Sequence, residues 1–122
     1  MKMLKLFSNL PYKHKEIHMN IVILTPCTRY ENLVKIRESI YSQSIPDEIK
    51  IKWIVSFDAR SLKEIPIETM EFLANNSVTV DFVNDPNNVV GKSQVNRAIE
   101  GMQEEEWIYV LDDDNVLHEN FF

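Results

Sequence analysis

The 122-residue chain carries 13 lysine and arginine residues against 19 aspartate and glutamate residues, which gives a formal net charge of −6. This acidic balance argues against general nucleic-acid binding, which needs surplus positive charge to neutralise phosphates. The length fits a single domain, and 44% hydrophobic with 26% charged residues is typical of a globular protein. The two glycines, Gly91 and Gly101, cannot form a GxGxxG turn or a Walker A loop, so both of those phosphate-binding fingerprints are excluded.

The single cysteine and the absence of a long apolar run indicate the compartment. Cys27 alone cannot form an internal disulfide, which fits a reducing environment. No run approaches the roughly 18–20 apolar residues of a membrane span, and the start lacks the apolar core of a signal peptide. We therefore expect a cytoplasmic protein. Residues 1–19 are basic and without clean periodicity, so they are expected to form an N-terminal extension before a domain over 20–122.

Hydrophobic periodicity predicts strands and helices in alternation along the chain. Apolar runs predict strands at 21–24, 49–57, 78–83 and 107–111, and helical spacing predicts helices at 31–43, about 67–75 and 91–102. Pro26 is expected to end the first strand because proline cannot donate to a ladder, and 116–122 are expected to begin another helix. Strands that alternate with helices imply right-handed crossovers. The predicted fold class is therefore α/β, with three α/β/α layers and a mainly parallel sheet.

Polar residues follow each predicted strand, where a parallel sheet places its ligand site. Open α/β sheets bind ligands in the crevice beyond the carboxyl ends of their strands. Those ends carry polar or charged residues at 25–29, 58–60, 84–85 and 112–115. Asp58 could accept hydrogen bonds from a nucleobase or a ribose there, or it could start a turn.

Three consecutive carboxylates follow the fourth predicted strand. Asp112, Asp113 and Asp114 would repel one another at close range, and a divalent cation would remove that cost. Strand alternation would place Asp112 and Asp114 on one side and Asp113 on the other. Mg²⁺ and Mn²⁺ are commonly held by one or two carboxylates together with phosphate oxygens. The alternative is a solvated turn, but the position directly after a buried strand favours the metal site.

Two basic residues belong to the helix that precedes this strand. Lys92 lies in the first turn, where a cation opposes the helix dipole, and Arg97 lies in the middle. The small cost at Lys92 is easier to understand if a phosphate binds nearby. An ordinary solvated lysine is the alternative.

In order and spacing, these segments resemble the N-terminal, nucleotide-sugar-binding half of a GT-A fold glycosyltransferase of the family 2 type. The strand and turn at 21–29, the helix at 32–44 and the strand at 54–58 resemble the opening of that fold. Gly91-Lys92-Ser93 with 96–99, followed by 108–115, resembles the "GK…N…A" helix and the DxD strand end. The Asp-Asp-Asp-Asn ending and the two terminal phenylalanines are also similar to β-1,3-glucuronyltransferases.

The resemblance implies a site for a nucleotide-diphosphate sugar, most readily a UDP-sugar. The implied nucleotide-sugar contacts are Pro26, Thr28, Arg29, Asp58, Lys92, Arg97, Asp112 and Asp113. Among them, Asp58 would contact the base. Asp112 and Asp114 would be the metal ligands for Mn²⁺ or Mg²⁺, and the metal would stabilise the departing diphosphate during transfer of the sugar to an acceptor.

The chain also differs from the family pattern. The first turn is Pro-Cys-Thr-Arg instead of Pro-Thr-Tyr-Asn, and Asp58 is followed by Ala-Arg instead of Gly-Ser. The acceptor half and catalytic base of the family follow the DxD strand, whereas this chain has eight residues after Asp114. No catalytic residue is therefore assigned, the fold is expected to be incomplete, and an open sheet edge that self-associates or awaits a partner half is expected. A truncated, non-catalytic nucleotide-binding or partner-interaction module is the alternative function.

Overall fold

The computed structural model describes residues 19–88, 91–103 and 106–122, with the backbone alone at 61–63. The strands are β1 (Met19–Cys27), β2 (Ile49–Asp58), β3 (Thr79–Val83) and β4 (Glu106–Val110). The α-helices are α1 (Leu33–Tyr41), α2 (Ile67–Asn75) and α3 (Lys92–Glu100), and 3-10 turns span Tyr30–Asn32 and Ala59–Glu64. The predicted alternation of strands and helices is confirmed. The predicted extension, 1–19, lies outside the described residues except for Met19, which begins β1.

The four strands form one parallel sheet in the order β3-β2-β1-β4. The chain moves from β1 outward to β3 and then returns past β1 to β4. Because parallel crossovers are right-handed, α1 and α2 cover one face and α3 covers the other. The predicted α/β class with helices on both faces is confirmed. None of the helices within the described ranges is long and apolar enough to cross a bilayer.

The main core lies between the sheet and the pair α1 and α2. The three buried residues of α1, Leu33, Ile36 and Ile40, follow the helical spacing that the sequence predicts. They pack against alternate side chains of β1 and β2, which include Ile23 and Trp53. The opposite face of β1 is also buried, so the strand carries a continuous apolar run.

The structure corrects the prediction that Pro26 ends the first strand. β1 continues to Cys27, and Pro26 is in register with Ser56 of β2. On the other side, the backbone N–H of Leu111 donates to the carbonyl of Leu24 at 2.8 Å, so Leu24 and Pro26 both direct their backbone toward β4. β4 ends at Val110, and the proline therefore costs no ladder bond, because its missing N–H faces the side where the neighbouring strand has stopped.

The structure also corrects the prediction of a helix at 116–122. This segment is irregular and packs along α1. The backbone N–H of Leu117 donates to Ser39 Oγ at 3.0 Å, and Leu117 is buried. The Gln43 side chain donates to the carbonyl of His118 at 2.9 Å and accepts the N–H of Phe122 at 3.3 Å. These bonds to α1 and to Gln43, just beyond its end, take the place of the bonds that a helix would make internally.

The strand β4 forms an edge of the sheet within the described residues, since it pairs with β1 alone. Trp107, Tyr109 and Val110 are each more than a third exposed. Tyr109 makes an edge-to-face contact with Phe121, with ring centroids 4.8 Å apart, which covers part of this apolar surface. The expected open sheet edge is therefore present in the described part of the chain.

Candidate functional site

A cleft of about 400 Å³ opens at the carboxyl ends of β1, β2 and β4. The crossover that follows β1, which contains α1, and the crossover that leads into β4, which contains α3, lie on opposite faces of the sheet. Open α/β sheets form a crevice at such a switch point. The cleft is lined by residues from the loops that follow the strands and from the start of α3: Pro26, Thr28, Arg29, Asp58, Arg60, Asn88, Gly91, Gln94, Asp112, Asp113 and Asp114.

Asp113 is the buried anchor of this cleft. Its Oδ2 atom accepts the backbone N–H groups of Thr28 and Arg29, each at 2.7 Å, and the Thr28 hydroxyl at 3.2 Å. The carbonyl of Asp113 accepts Asn32 Nδ2 at 2.9 Å. Asp113 is only 4% exposed. Its carboxylate therefore fixes the loop after β1 to the loop after β4, and its acceptor capacity is largely used within the protein.

Asp112 and Asp114, by contrast, are exposed on either side of the buried Asp113. The N–H of Asn115 donates to the carbonyl of Asp112 at 3.1 Å, which closes a turn after β4. Asp112 and Asp114 are thus exposed while Asp113 is buried, as expected if Asp113 points to the opposite side. The side chain of Asp112 has no hydrogen-bond or ion-pair partner among the described residues, so its carboxylate is open to a ligand.

Arg29 partly neutralises the acidic cluster. Its Nε lies 3.2 Å from Asp113 Oδ1, and its Nη1 lies 3.3 Å from Asp114 Oδ2. A bound cation was expected to relieve the repulsion among the three carboxylates, but Arg29 supplies part of that relief itself. Half of the Arg29 side chain remains exposed, so the guanidinium also faces the cleft.

Asp112 and Asp114 meet part of the needs of a divalent cation. Two exposed carboxylates beside an open cleft are suitable oxygen ligands for Mg²⁺ or Mn²⁺. Within the described ranges, no group of three or more histidine, cysteine, aspartate or glutamate side chains is placed to hold a metal. A cation here would therefore take its remaining ligands from water and from a bound phosphate, which is the usual arrangement for Mg²⁺ with nucleotides.

Asp58 and Arg60 form a tight ion pair on the β2 side of the cleft. Arg60 Nη2 lies 2.5 Å from Asp58 Oδ2, and Arg60 Nε donates to Oδ1 at 2.9 Å. The backbone N–H of Arg60 also donates to Oδ1 at 2.9 Å, and Asn88 Nδ2 donates to Oδ2 at 3.1 Å. The hydrogen bonds from the Arg60 side chain hold the pKa of the Asp58 carboxyl well below its usual range, against the opposing effect of its burial.

Asn88 links this ion pair to the start of α3. Its Nδ2 also donates to Gln94 Oε1 at 2.6 Å, and its Oδ1 accepts the backbone N–H of Ser93 at 2.9 Å. The Ser93 hydroxyl donates to Asp85 Oδ2 at 2.5 Å, which lowers the pKa of the Asp85 carboxyl. The loop after β3 is thereby fastened to both β2 and α3.

Gly91 precedes α3 where the backbone passes close to β1. Its φ of +74° lies in the left-handed region that side chains disfavour. A Cβ at this position would lie 2.9 Å from the Cβ of Pro26. Glycine is therefore required here on two grounds, conformation and space.

The structure brings together seven of the nine residues that the sequence singled out for the site: Pro26, Thr28, Arg29, Asp58, Asp112, Asp113 and Asp114. Lys92 is exposed on α3 and does not line the cleft. Arg97 lies over the other part of the sheet, where its Nε pairs with Asp81 Oδ2 at 2.9 Å. The local sequence places both residues on α3, but the helix directs them away from the cleft.

Four lining residues were not assigned to the site by sequence reasoning: Arg60, Asn88, Gly91 and Gln94. The signals available for them were the Ala-Arg that replaces Gly-Ser after Asp58 and the dense turn cluster at 84–88. Cys27, beside the cleft-lining Pro26, is fully buried, and burial together with the nearby Asp113 raises the pKa of its thiol to about 12. The cysteine is therefore a packing residue.

Comparisons of this chain with protein-family models, with curated proteins and with solved structures found no match.

Proposed function

We propose that the cleft binds a nucleotide-diphosphate sugar with Mn²⁺ or Mg²⁺, as the donor-binding part of a glycosyltransferase. The observation that carries this proposal is the pair of exposed carboxylates, Asp112 and Asp114, on an open cleft between the ends of β1 and β4. That position is where parallel α/β sheets bind ligands. A volume of about 400 Å³ is within the range of small-molecule sites.

Each cleft residue has a role that its contacts support. Asp112 and Asp114 would hold the cation, which would neutralise the diphosphate and stabilise its departure as a leaving group. Asp113 holds the β1 and β4 loops at a fixed separation through the amides of Thr28 and Arg29. Arg29, half exposed beside Asp114, is placed to donate to a phosphate oxygen. The loops are thus organised before any ligand arrives, which lowers the entropy that binding must overcome.

Calorimetry with UDP, in the presence and absence of Mn²⁺, tests this proposal directly. We expect binding that depends on Mn²⁺ and that Asp114→Asn weakens at least about tenfold, since a charged metal ligand is lost. Asp47→Asn is the matched control, because Asp47 is exposed in the loop before β2, at the other end of the sheet. The proposal fails if the wild-type protein binds UDP under neither condition.

A second candidate function is favoured by the contact of Arg29 with Asp113 and Asp114. Because Arg29 already balances part of the acidic charge, the cleft could serve a non-catalytic module that binds a nucleotide without a metal. UDP binding that is independent of Mn²⁺ and lost in Arg29→Ala would support this module. Transfer or hydrolysis of a UDP-sugar by the chain would instead support the enzyme.

The proposed place of action is the cytoplasm, where nucleotide sugars are available to a protein with one buried, reduced cysteine. Fractionation of cells that express the tagged protein tests this location. The protein is expected in the fraction that remains after membranes and organelles are sedimented.

A further inference from the structure

Arg60 is held at two edges of its guanidinium by the protein itself. One edge, formed by Nε and Nη2, pairs with the carboxylate of Asp58 at 2.9 and 2.5 Å. The other edge, formed by Nη1 and Nη2, donates to the carbonyls of Pro86 and Asn88 at 3.2 and 3.1 Å. A guanidinium has five N–H groups, and these contacts use four of them. The plane of the group is therefore fixed relative to β2 and the loop after β3.

Asp58, which the family resemblance assigns to the nucleobase, has no acceptor capacity left. Its Oδ1 accepts the backbone N–H and the Nε of Arg60, and its Oδ2 accepts Arg60 Nη2 and Asn88 Nδ2. A carboxylate offers about four lone-pair positions, and these donors fill them. Asp58 is also buried. An N–H group of a base in the cleft would have to displace an existing bond to reach it.

Arg60 itself remains accessible to a ligand. Half of its side chain is exposed, and it lines the cleft. Since both hydrogen-bonding edges point at the protein, the accessible surface of the guanidinium consists mainly of its flat faces. Guanidinium faces stack on planar aromatic rings, and the attraction grows where the site is shielded from water.

We propose that Arg60 stacks one face of its guanidinium on the nucleobase of the ligand, and that Asp58 positions Arg60 and does not contact the base. This assignment rests on the proposed function, because it requires a nucleotide in the cleft. It also explains a departure from the family pattern, because the Ala-Arg after Asp58 supplies the stacking group. Base contact through a face, which every base possesses, gives affinity with little discrimination among bases.

The test compares a ligand that has a base with one that lacks it. UDP and inorganic pyrophosphate are titrated, each with Mn²⁺, into the wild type, Arg60→Lys and Asp58→Asn. Arg60→Lys keeps the charge and removes the plane, so we expect UDP affinity to fall about three- to thirtyfold while pyrophosphate affinity is unchanged. Asp58→Asn releases Arg60 and is expected to weaken UDP in the same selective way. Arg37→Lys is the matched control, because Arg37 lies on α1 over the ring of Tyr41, outside the cleft.

The outcomes separate this inference from the proposed function. Unchanged UDP affinity in Arg60→Lys overturns the stacking role while the nucleotide site stands. An equal loss for UDP and pyrophosphate makes Arg60 a phosphate contact and also overturns it. A wild type that binds UDP no better than pyrophosphate shows that the base is not contacted. A wild type that binds neither ligand removes the proposed function and this inference together.

Thermal unfolding of each variant verifies that the loss of affinity does not come from misfolding. Discrimination among bases, measured with ADP and GDP in the wild type, is expected to be small.

Discussion

Asp113 accepts the backbone N–H of Arg29 at 2.7 Å across 84 positions of sequence, which joins the loop after the first strand to the loop after the last. The same carboxylate oxygen accepts the N–H of Thr28. One buried carboxylate oxygen therefore accepts two backbone N–H groups. This contact fixes the relative position of the two loops that line the cleft.

Asp113→Ala is expected to lower the free energy of unfolding by about 2–4 kcal/mol, because it removes the charged acceptor of two part-buried backbone N–H groups. Chemical denaturation followed by circular dichroism measures the change. Asp112→Ala is the control, since Asp112 is exposed and its loss should stay within about 0.5 kcal/mol. Equal effects of the two substitutions would contradict the anchoring role of Asp113.

The two glycines offer a matched pair for the backbone argument. Gly91→Ala is expected to cost about 1–3 kcal/mol, because alanine at φ +74° is strained and its Cβ would meet Pro26. Gly101 has φ −85°, and an added Cβ would find its nearest atoms at 3.6 and 3.8 Å. Gly101→Ala should therefore be neutral or stabilise by up to about 1 kcal/mol. Melting temperatures that fall equally for both variants would refute this difference.

The Asp58–Arg60 pair predicts an acid-dependent stability. Because the folded-state pKa of Asp58 is lowered, its contribution is fully present above the unfolded-state value of about 3.9 and is lost as the pH falls through the folded-state pKa. The difference in unfolding free energy between the wild type and Asp58→Asn should be constant from about pH 5 to 7 and shrink below about pH 4. Asp85, whose pKa is also lowered, is present in both proteins and cancels in the difference. A difference that stays constant down to about pH 2.5 would argue against the ion pair.

Gln43 is expected to control the mobility of the last residues. Gln43→Ala removes the bonds to His118 and Phe122, so amide exchange over 118–122 should accelerate about fivefold or more, equivalent to about 1 kcal/mol. Hydrogen exchange followed by mass spectrometry measures this. Ser44→Ala is the control, because Ser44 is the exposed neighbour of Gln43 in the segment after α1. Unchanged exchange in Gln43→Ala would mean that apolar packing alone holds the segment.

The outer edge of β4 predicts self-association. Leu24 directs its backbone toward β4 and is paired with Val110, so the alternate residues Ile108 and Val110 direct theirs outward. Within the part of the chain that the structure describes, these outward groups have no strand partner. Such groups on an apolar edge strand are a template for pairing with another chain. The apparent mass in light scattering is expected to rise with concentration, and Ile108→Pro should suppress the rise, because it removes an outward N–H and leaves the β1 ladder intact. A mass that is independent of concentration in the wild type would contradict this prediction.

The fold and most of the cleft were predictable because they depend on short-range patterns. Apolar runs and helical spacing give the order of elements, and the parallel topology then brings the residues after each strand to one edge of the sheet. That reasoning placed Asp58, Arg29 and Asp114 together although they are far apart in sequence. The role of Asn88 in the cleft could not be predicted in this way, because the bond from Asn88 to Asp58 depends on the conformation of a turn 30 positions away from Asp58.

The differences between expectation and structure have physical reasons of their own. Lys92 and Arg97 were placed at the site from their positions on the predicted helix and from the family resemblance, but the direction of a helical side chain depends on how the helix packs. The segment at 116–122 was expected to begin a helix, whereas Ser39 of α1 and Gln43 just beyond α1 supply hydrogen bonds to it. Both outcomes are set by tertiary contacts that no window of sequence contains.

Pro26 limits how far the sheet can close. In a regular parallel ladder, the bond after Leu24 would run from the N–H of residue 26 to the carbonyl of Leu111, and proline has no N–H to give. The ladder between β1 and β4 therefore cannot be extended by the next hydrogen bond, and the gap between the strand ends stays open. The opening between the two strands is therefore kept by the backbone itself, because Pro26 lacks the N–H that would bond them further.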